Sequence, residues 1–128
     1  MPREAGPGTR AGTRAEAGRD GEERGAKHLL SLGYRILARN WRGRRGELDL
    51  VAEDGEVLCF VEVRQRGAGA RVGALESIDR RKQERVINTA QEFLLAHKLT
   101  GRPARFDVIA IDVSGELTHL RHAFTLDR

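Results

Sequence analysis

The chain has one cysteine, Cys59, so it can form no internal disulfide. Cys59 falls inside an apolar run, which reads as a small buried hydrophobe rather than a nucleophile. No apolar stretch is long enough to cross a bilayer, and no signal-peptide pattern opens the chain. The expected compartment is the cytoplasm, with no membrane partner. There is no P-loop and no dinucleotide fingerprint, which removes the commonest nucleotide-binding classes. His28, His97, His119 and His122 have no metal-ligand spacing with the cysteine or with one another, and none is assigned a catalytic role. Lysine is scarce as well, occurring only at Lys27, Lys82 and Lys98, so arginine supplies most of the positive charge.

What remains is a chain of 128 residues, enough for one domain, with a net charge of +4. A basic balance fits a nucleic-acid partner met through its phosphates, although arginine-rich composition alone can give the same excess. Residues 1–14 are rich in Gly, Arg, Pro and Thr without apolar periodicity and read as a flexible basic arm. Residues 15–128 then form a single domain.

The most informative stretch is Gly46 to Arg66, GELDLVAEDGEVLCFVEVRQR. Asp54-Gly55 is a hairpin-turn signal. A two-residue turn there sets Glu53 opposite Glu56, Asp49 opposite Phe60 and Glu47 opposite Glu62. Alternation then puts Leu48, Leu50, Ala52, Val57, Cys59, Val61 and Val63 on one face, and Glu47, Asp49, Val51, Leu58, Phe60, Glu62 and Arg64 on the other. Asp49 and Glu62 become diagonal neighbours about 6–8 Å apart, close enough to share an ion. The run Val57 to Val63 is apolar on both faces and predicts a central strand with Glu62 near its end. The competing reading makes Glu47, Asp49 and Glu62 surface charges paired with arginines.

A first helix is expected over Ala15–Leu32, stopped by Gly33, with Gly18, Gly21, Gly25, Leu29 and Leu32 on one stripe. Glycines there suit close approach by another backbone, and Glu22 beside the stripe is a candidate third acidic group. Tyr34–Trp41 reads as a strand and Arg42–Arg45 as a basic turn. Gly67–Gly73 is too polar and Gly-rich for a core element. A second helix, capped by Ser77 or Asp79, ends near His97 with Val86, Ala90, Phe93 and Leu94 inward. Arg80, Arg81, Lys82 and Arg85 crowd its first turns against the helix dipole, an arrangement that a phosphate would relieve. Lys82 falls on the inward stripe. Arg105–Val113 and Leu117–Phe124 form a last hairpin around Ser114-Gly115.

Helix, strand, hairpin with Asp and Glu-x-basic, helix, strand: this order resembles the PD-(D/E)XK nuclease-like core. More closely, GRDGEERGAKHLLSLGYRILARNWR, GELDLVAEDGEVLCFVEVRQR, DRRKQERVINTAQEFL and RFDVIAID resemble the bacterial YraN family from Gly18 to Phe124. The resemblance implies an α/β fold, a restriction-endonuclease-like core with a central mixed β-sheet flanked by α-helices. It implies Glu22, Asp49 and Glu62 as Mg²⁺ or Mn²⁺ ligands near a scissile phosphodiester of DNA. Arg64 stands where the motif has lysine. Arginine stays protonated and suits a phosphate clamp better than a general base, so Lys82 is the candidate to supply what Arg64 cannot. Arg44, Arg45, Arg66, Arg71, Arg80 and Arg81 are the candidate phosphate contacts. RNA is a further possible partner, and cleavage of two strands would suit a homodimer. A degenerate, non-catalytic nucleic-acid-binding module is the alternative.

Overall fold

A computed structural model describes residues 14–65 and 78–125, with side chains from residue 20 onward. Arg66, Arg71, Ser77, the Gly67–Gly73 segment and the expected basic arm up to residue 13 lie outside the described residues. The elements are α1 (Arg14–Ser31), β1 (Arg35–Arg42), β2 (Glu47–Asp54), β3 (Val57–Gln65), α2 (Arg80–Ala96), β4 (Ala104–Ile111) and β5 (Leu117–Phe124). They make the mixed α/β core expected: one five-stranded sheet in the order β1-β2-β3-β4-β5, with β3 and β4 parallel and the other neighbours antiparallel.

The helices cover opposite faces. Ala26 and Leu29 of α1 pack with Leu50, Ala52, Cys59, Val61, Ile109 and Ile111. Gly25 allows this approach, since a Cβ there would sit 3.2 Å from Val63 Cγ2. Gly21 is tighter still, with Gln65 Cδ at 2.9 Å from the same hypothetical atom. Gly33, at φ 90°, ends α1 as expected, and Tyr34 N–H closes onto Leu29 C=O at 3.1 Å. On the other face Val86, Ala90, Phe93 and Leu94 of α2 pack on Leu48, Val51, Phe60, Phe106 and Val108. Phe60 stacks on Phe106 with ring centroids 5.5 Å apart, and Phe93 meets Phe60 edge-on at 6.0 Å. Each such aromatic pair adds about 0.5–1.5 kcal/mol beyond area burial. Asp79 caps α2, its carboxylate accepting Lys82 N–H at 2.9 Å.

The β2–β3 register differs from the expected one. Asp54 pairs with Val57, Glu53 with Leu58, Val51 with Phe60 and Leu50 with Val61. The turn is therefore Gly55-Glu56, with Gly55 at φ 64° in its first central position. Distant arginines hold it there. Arg102 donates to Glu56 C=O at 2.9 Å and to Glu53 at 2.7 Å, and Arg105 donates to Asp54 at 2.9 Å. The slip is two residues, so the faces of β3 are unchanged. Leu48 is the exception on β2. It joins the α2 face while Leu50 joins the α1 face, so strict alternation breaks at Asp49.

A second polar network ties β4 to its surroundings. Asp107 is fully buried and accepts from Arg105 Nε at 3.0 Å and His119 Nε2 at 2.9 Å. Arg105 also donates to Tyr34 Oη at 2.7 Å. With its Nε2 proton on Asp107, His119 accepts at Nδ1 from His28 Nε2, 3.0 Å away. This joins α1 to the edge strand β5, helped by Arg24 donating to Gly115 C=O at 2.6 Å. Hydrogen bonds from His119, Arg105 and the His122 N–H hold the Asp107 carboxyl below its usual range despite burial. Burial, then His119 and Arg121, push the His28 pKa below 6.5.

A histidine so depressed stabilises the fold as the neutral ring. That contribution is present above about pH 6.5 and is lost as pH falls through the folded value. The melting temperature of wild type should therefore fall more steeply than that of His28→Gln as pH drops below about 6.5, measured by thermal denaturation across the range. Parallel curves for the two proteins would remove the histidine contact from the account.

A carboxylate cluster under a basic cleft

Glu62 sits near the end of β3, the middle strand, and is only 4% exposed. A carboxylate so placed needs a cation or donors. Lys82, projecting from the first turn of α2, puts Nζ 3.0 Å from Glu62 Oε2. Arg64 Nη1 lies farther, at 3.9 Å from the same oxygen. Asp49 approaches from β2, and its Oδ2 accepts Val63 N–H at 2.9 Å. The carboxylate thus replaces a main-chain acceptor where β2 and β3 part. Burial, and then the charge of Asp49, push the Glu62 pKa up to about 7 against the pull of Lys82 and Arg64. Burial also raises Asp49, opposed by the Val63 N–H and Lys82 and reinforced by Glu47.

Glu22 comes from α1 on the opposite face. Its carboxyl reaches both the Asn40 amide and the Asp49 carboxyl, and its pKa is raised by burial and then by Asp49. Asn40 is held at φ 51°, a left-handed conformation that Asn tolerates better than most residues. Sequence reasoning did not single out Asn40; the strain and the contact appear only in three dimensions. Glu23 points outward and pairs with Arg39 at 2.9 Å.

Glu22 and Glu62 each resist ionisation because of burial and then the charge of Asp49, and Asp49 resists it because of burial and, behind the opposing Val63 N–H and Lys82, Glu47. That donor chemistry suits a hard divalent cation, which takes oxygen ligands and completes its shell with water and phosphate. Among the described residues, no group of three or more His, Cys, Asp or Glu side chains is gathered to hold one ion as it stands. Asp49 and Glu62 are the pair that would hold it, with Glu22 adjoining through Asp49. The Lys82 ammonium now supplies the cation nearest Glu62.

Above this cluster a cleft of about 460 Å³ runs between the β1–β2 turn and α2. Arg42, Arg44, Arg45, Lys82 and Arg85 line it, and Asp49 and Glu47 lie along its acidic side. The expected contacts Arg44 and Arg45 are here. Arg80 and Arg81 are exposed on the first turn of α2 but do not line the cleft. Arg42 and Arg85 do line it. The sequence marked both as basic, but only the fold brings turn and helix together.

The chain matches the uncharacterised protein family UPF0102 over residues 21–111. Its relatives include a UPF0102 protein of Persephonella marina, 43% identical over 110 residues, covering 86% of this chain and 94% of the relative. A UPF0102 protein of Stutzerimonas stutzeri is 49% identical over 112 residues, covering 84% and 93%. One from Pseudomonas fluorescens is 46% identical over 118 residues, covering 88% and 96%. The buried Glu62, the half-buried Asp49 and the cleft-lining turn all fall within the matched span, and the chain belongs to the UPF0102 family.

Proposed function

We propose that the protein is a divalent-metal-dependent phosphodiester hydrolase acting on DNA, with Asp49 and Glu62 as its central carboxylates. The observation that carries this reading is a buried Glu62 beside a half-buried Asp49 that lines an arginine-walled cleft, each carboxyl raised from its usual range by burial. A carboxyl shifted by desolvation together with a specific charge partner, beside a cleft, is a functional-site candidate. A bound Mg²⁺ or Mn²⁺ would polarise the phosphoryl group and acidify a water.

The chain's own residues account for the rest. Arg44, Arg45 and Arg85 attract and orient the phosphate backbone over the acidic floor. Arg64, beside Glu62, stabilises charge developing on the phosphoryl oxygens. Lys82 sets its side-chain nitrogen 3.0 Å from Glu62 and on the wall of the cleft, and is the lysine placed to supply what Arg64 cannot. A binding-only role is the second reading. It is favoured by the Lys82–Glu62 ion pair, which already neutralises the site, and by the lack of a gathered three-carboxylate set among the described residues.

Cleavage of duplex, single-stranded or branched DNA should require Mg²⁺ or Mn²⁺ and vanish in Asp49→Ala. Salt-dependent binding without cleavage on any of these substrates would leave the binding module instead. Lys82→Ala should abolish the cleavage, whereas Arg64→Ala should weaken it without abolishing it; the reverse pattern would transfer the role to Arg64. Mn²⁺ affinity supplies a test that does not need turnover. Because Glu62 holds its proton up to about pH 7, a bound ion must displace that proton at lower pH. Calorimetric affinity should drop by up to about tenfold per pH unit below that value. Glu62→Gln should bind weakly and lose most of this pH dependence. A pH-independent affinity in wild type would exclude Glu62 as a ligand.

A further inference from the structure

Glu92 is an acidic side chain on the arginine-lined side of the molecule. Its contacts assign it a task that its charge alone would not suggest. Its two carboxylate oxygens both accept from the backbone N–H of Arg44, each at 3.0 Å. The turn that carries Arg44 is closed by Gly43 N–H donating to Gly46 C=O at 2.8 Å. Both glycines are needed for the docking. A Cβ on Gly43 would lie 2.5 Å from Glu92 Oε1 and 3.0 Å from the Trp41 ring. One on Gly46 would lie 3.0 Å from Thr89 Oγ1. Thr89 is itself buried, with its hydroxyl donating to Arg85 C=O at 2.8 Å.

The turn is therefore seated on α2 along one stripe, Arg85, Thr89 and Glu92, which continues from Lys82 at helical spacing. Trp41, just before the turn, meets Phe93 of the same helix edge-on at 5.3 Å. Glu92 engages the main chain, so neither guanidinium is consumed, and Arg44 and Arg45 both stay exposed. Arg44 and Arg45 also line the depression on the far side of the turn, with Asn88, Gln91 and Leu95, so the turn forms a ridge between two grooves.

We propose that Glu92 is a positioning residue. It fixes the backbone of the Arg44–Arg45 turn so that both arginines meet phosphates, and it thereby strengthens polyanion binding despite its own negative charge. This rests on the nucleic-acid reading above. The two effects of Glu92 have opposite signs, which makes them separable. If only its charge mattered, Glu92→Ala would raise the net charge by one and tighten binding to a duplex oligonucleotide.

Positioning predicts instead that Glu92→Ala weakens binding by about three- to tenfold. It should also reduce the salt-dependence slope by about one, the loss of roughly one phosphate contact. Glu92→Gln, which keeps one acceptor oxygen, should recover part of the affinity. In an Arg44→Ala/Arg45→Ala background, Glu92→Ala should no longer weaken binding, leaving only the charge effect of opposite sign. Binding would be followed by fluorescence anisotropy from 50 to 300 mM salt, with melting curves confirming that the variants remain folded.

Affinity that is unchanged or higher in folded Glu92→Ala overturns the inference while the nucleic-acid reading stands. So does an equal loss with and without the two arginines. Absence of salt-dependent binding in wild type overturns the nucleic-acid reading itself, and the inference with it.

Discussion

The ionic state of Glu62 governs this molecule's design. A sheet covered on both faces by helices gives its central strand no route to solvent along most of its length. An unpaired carboxylate there would cost several kcal/mol. The topology supplies the answer. β3 runs parallel to β4, so the chain between them must cross over one face as a helix and return. The first turn of that helix follows the carboxyl end of β3, and Lys82 on it reaches Glu62. The crevice at the carboxyl ends of strands is where open α/β sheets commonly bind ligands. The helix that brings Lys82 to Glu62 therefore also forms one wall of the cation-lined cleft.

Two groups of buried and half-buried carboxylates can be told apart by what their neighbours do. Asp107 is as buried as any residue in the chain, yet its donors outweigh desolvation and keep it ionised. Arg105 answers both Asp107 and Asp54, and Tyr34 and His119 complete the set. Such a closed network adds rigidity and leaves little for a ligand to do. Glu22, Asp49 and Glu62 go the other way, each raised by burial and by another carboxylate. Their free energy falls when positive charge arrives. The first group is satisfied within the fold and the second keeps an electrostatic cost, although Asp107, Asp49 and Glu62 all lie on strands of one sheet.

Much of this was legible in the chain. The doubly apolar run from Val57 to Val63 marked the middle strand, and the glycine stripe of α1 marked a close approach, which Gly21 and Gly25 make to side chains of the sheet rather than to another backbone. The inward position of Lys82 followed from helical spacing alone. The hairpin register did not follow, because Asp54-Gly55 and Gly55-Glu56 are both acceptable turns locally. Arg102 and Arg105, nearly fifty residues away, decide between them. The faces survived the error only because the slip was even. Leu48 did not follow the pattern because Asp49 turns its carboxylate to the Val63 N–H, a contact that no alternation rule contains. The pairing of His28 with His119 was equally invisible, since it joins residues 91 positions apart.

The distribution of charge along α2 completes the argument. Its first turn contains no acidic residue and carries Arg80, Arg81 and Lys82, so the helix dipole is opposed there rather than matched. The Asp79 cap offsets part of this locally, and Glu62 offsets more from the sheet. Ten residues after Lys82, Glu92 receives the main chain of a second basic element. One helix face thus gathers cations from two separate parts of the chain and tethers each through a carboxylate. Repulsion among these cations is the standing cost of the arrangement. An anion lying in the cleft lowers that repulsion, whereas a neutral ligand would leave it in place, so the electrostatics of the unliganded protein favour an anionic ligand over an uncharged one.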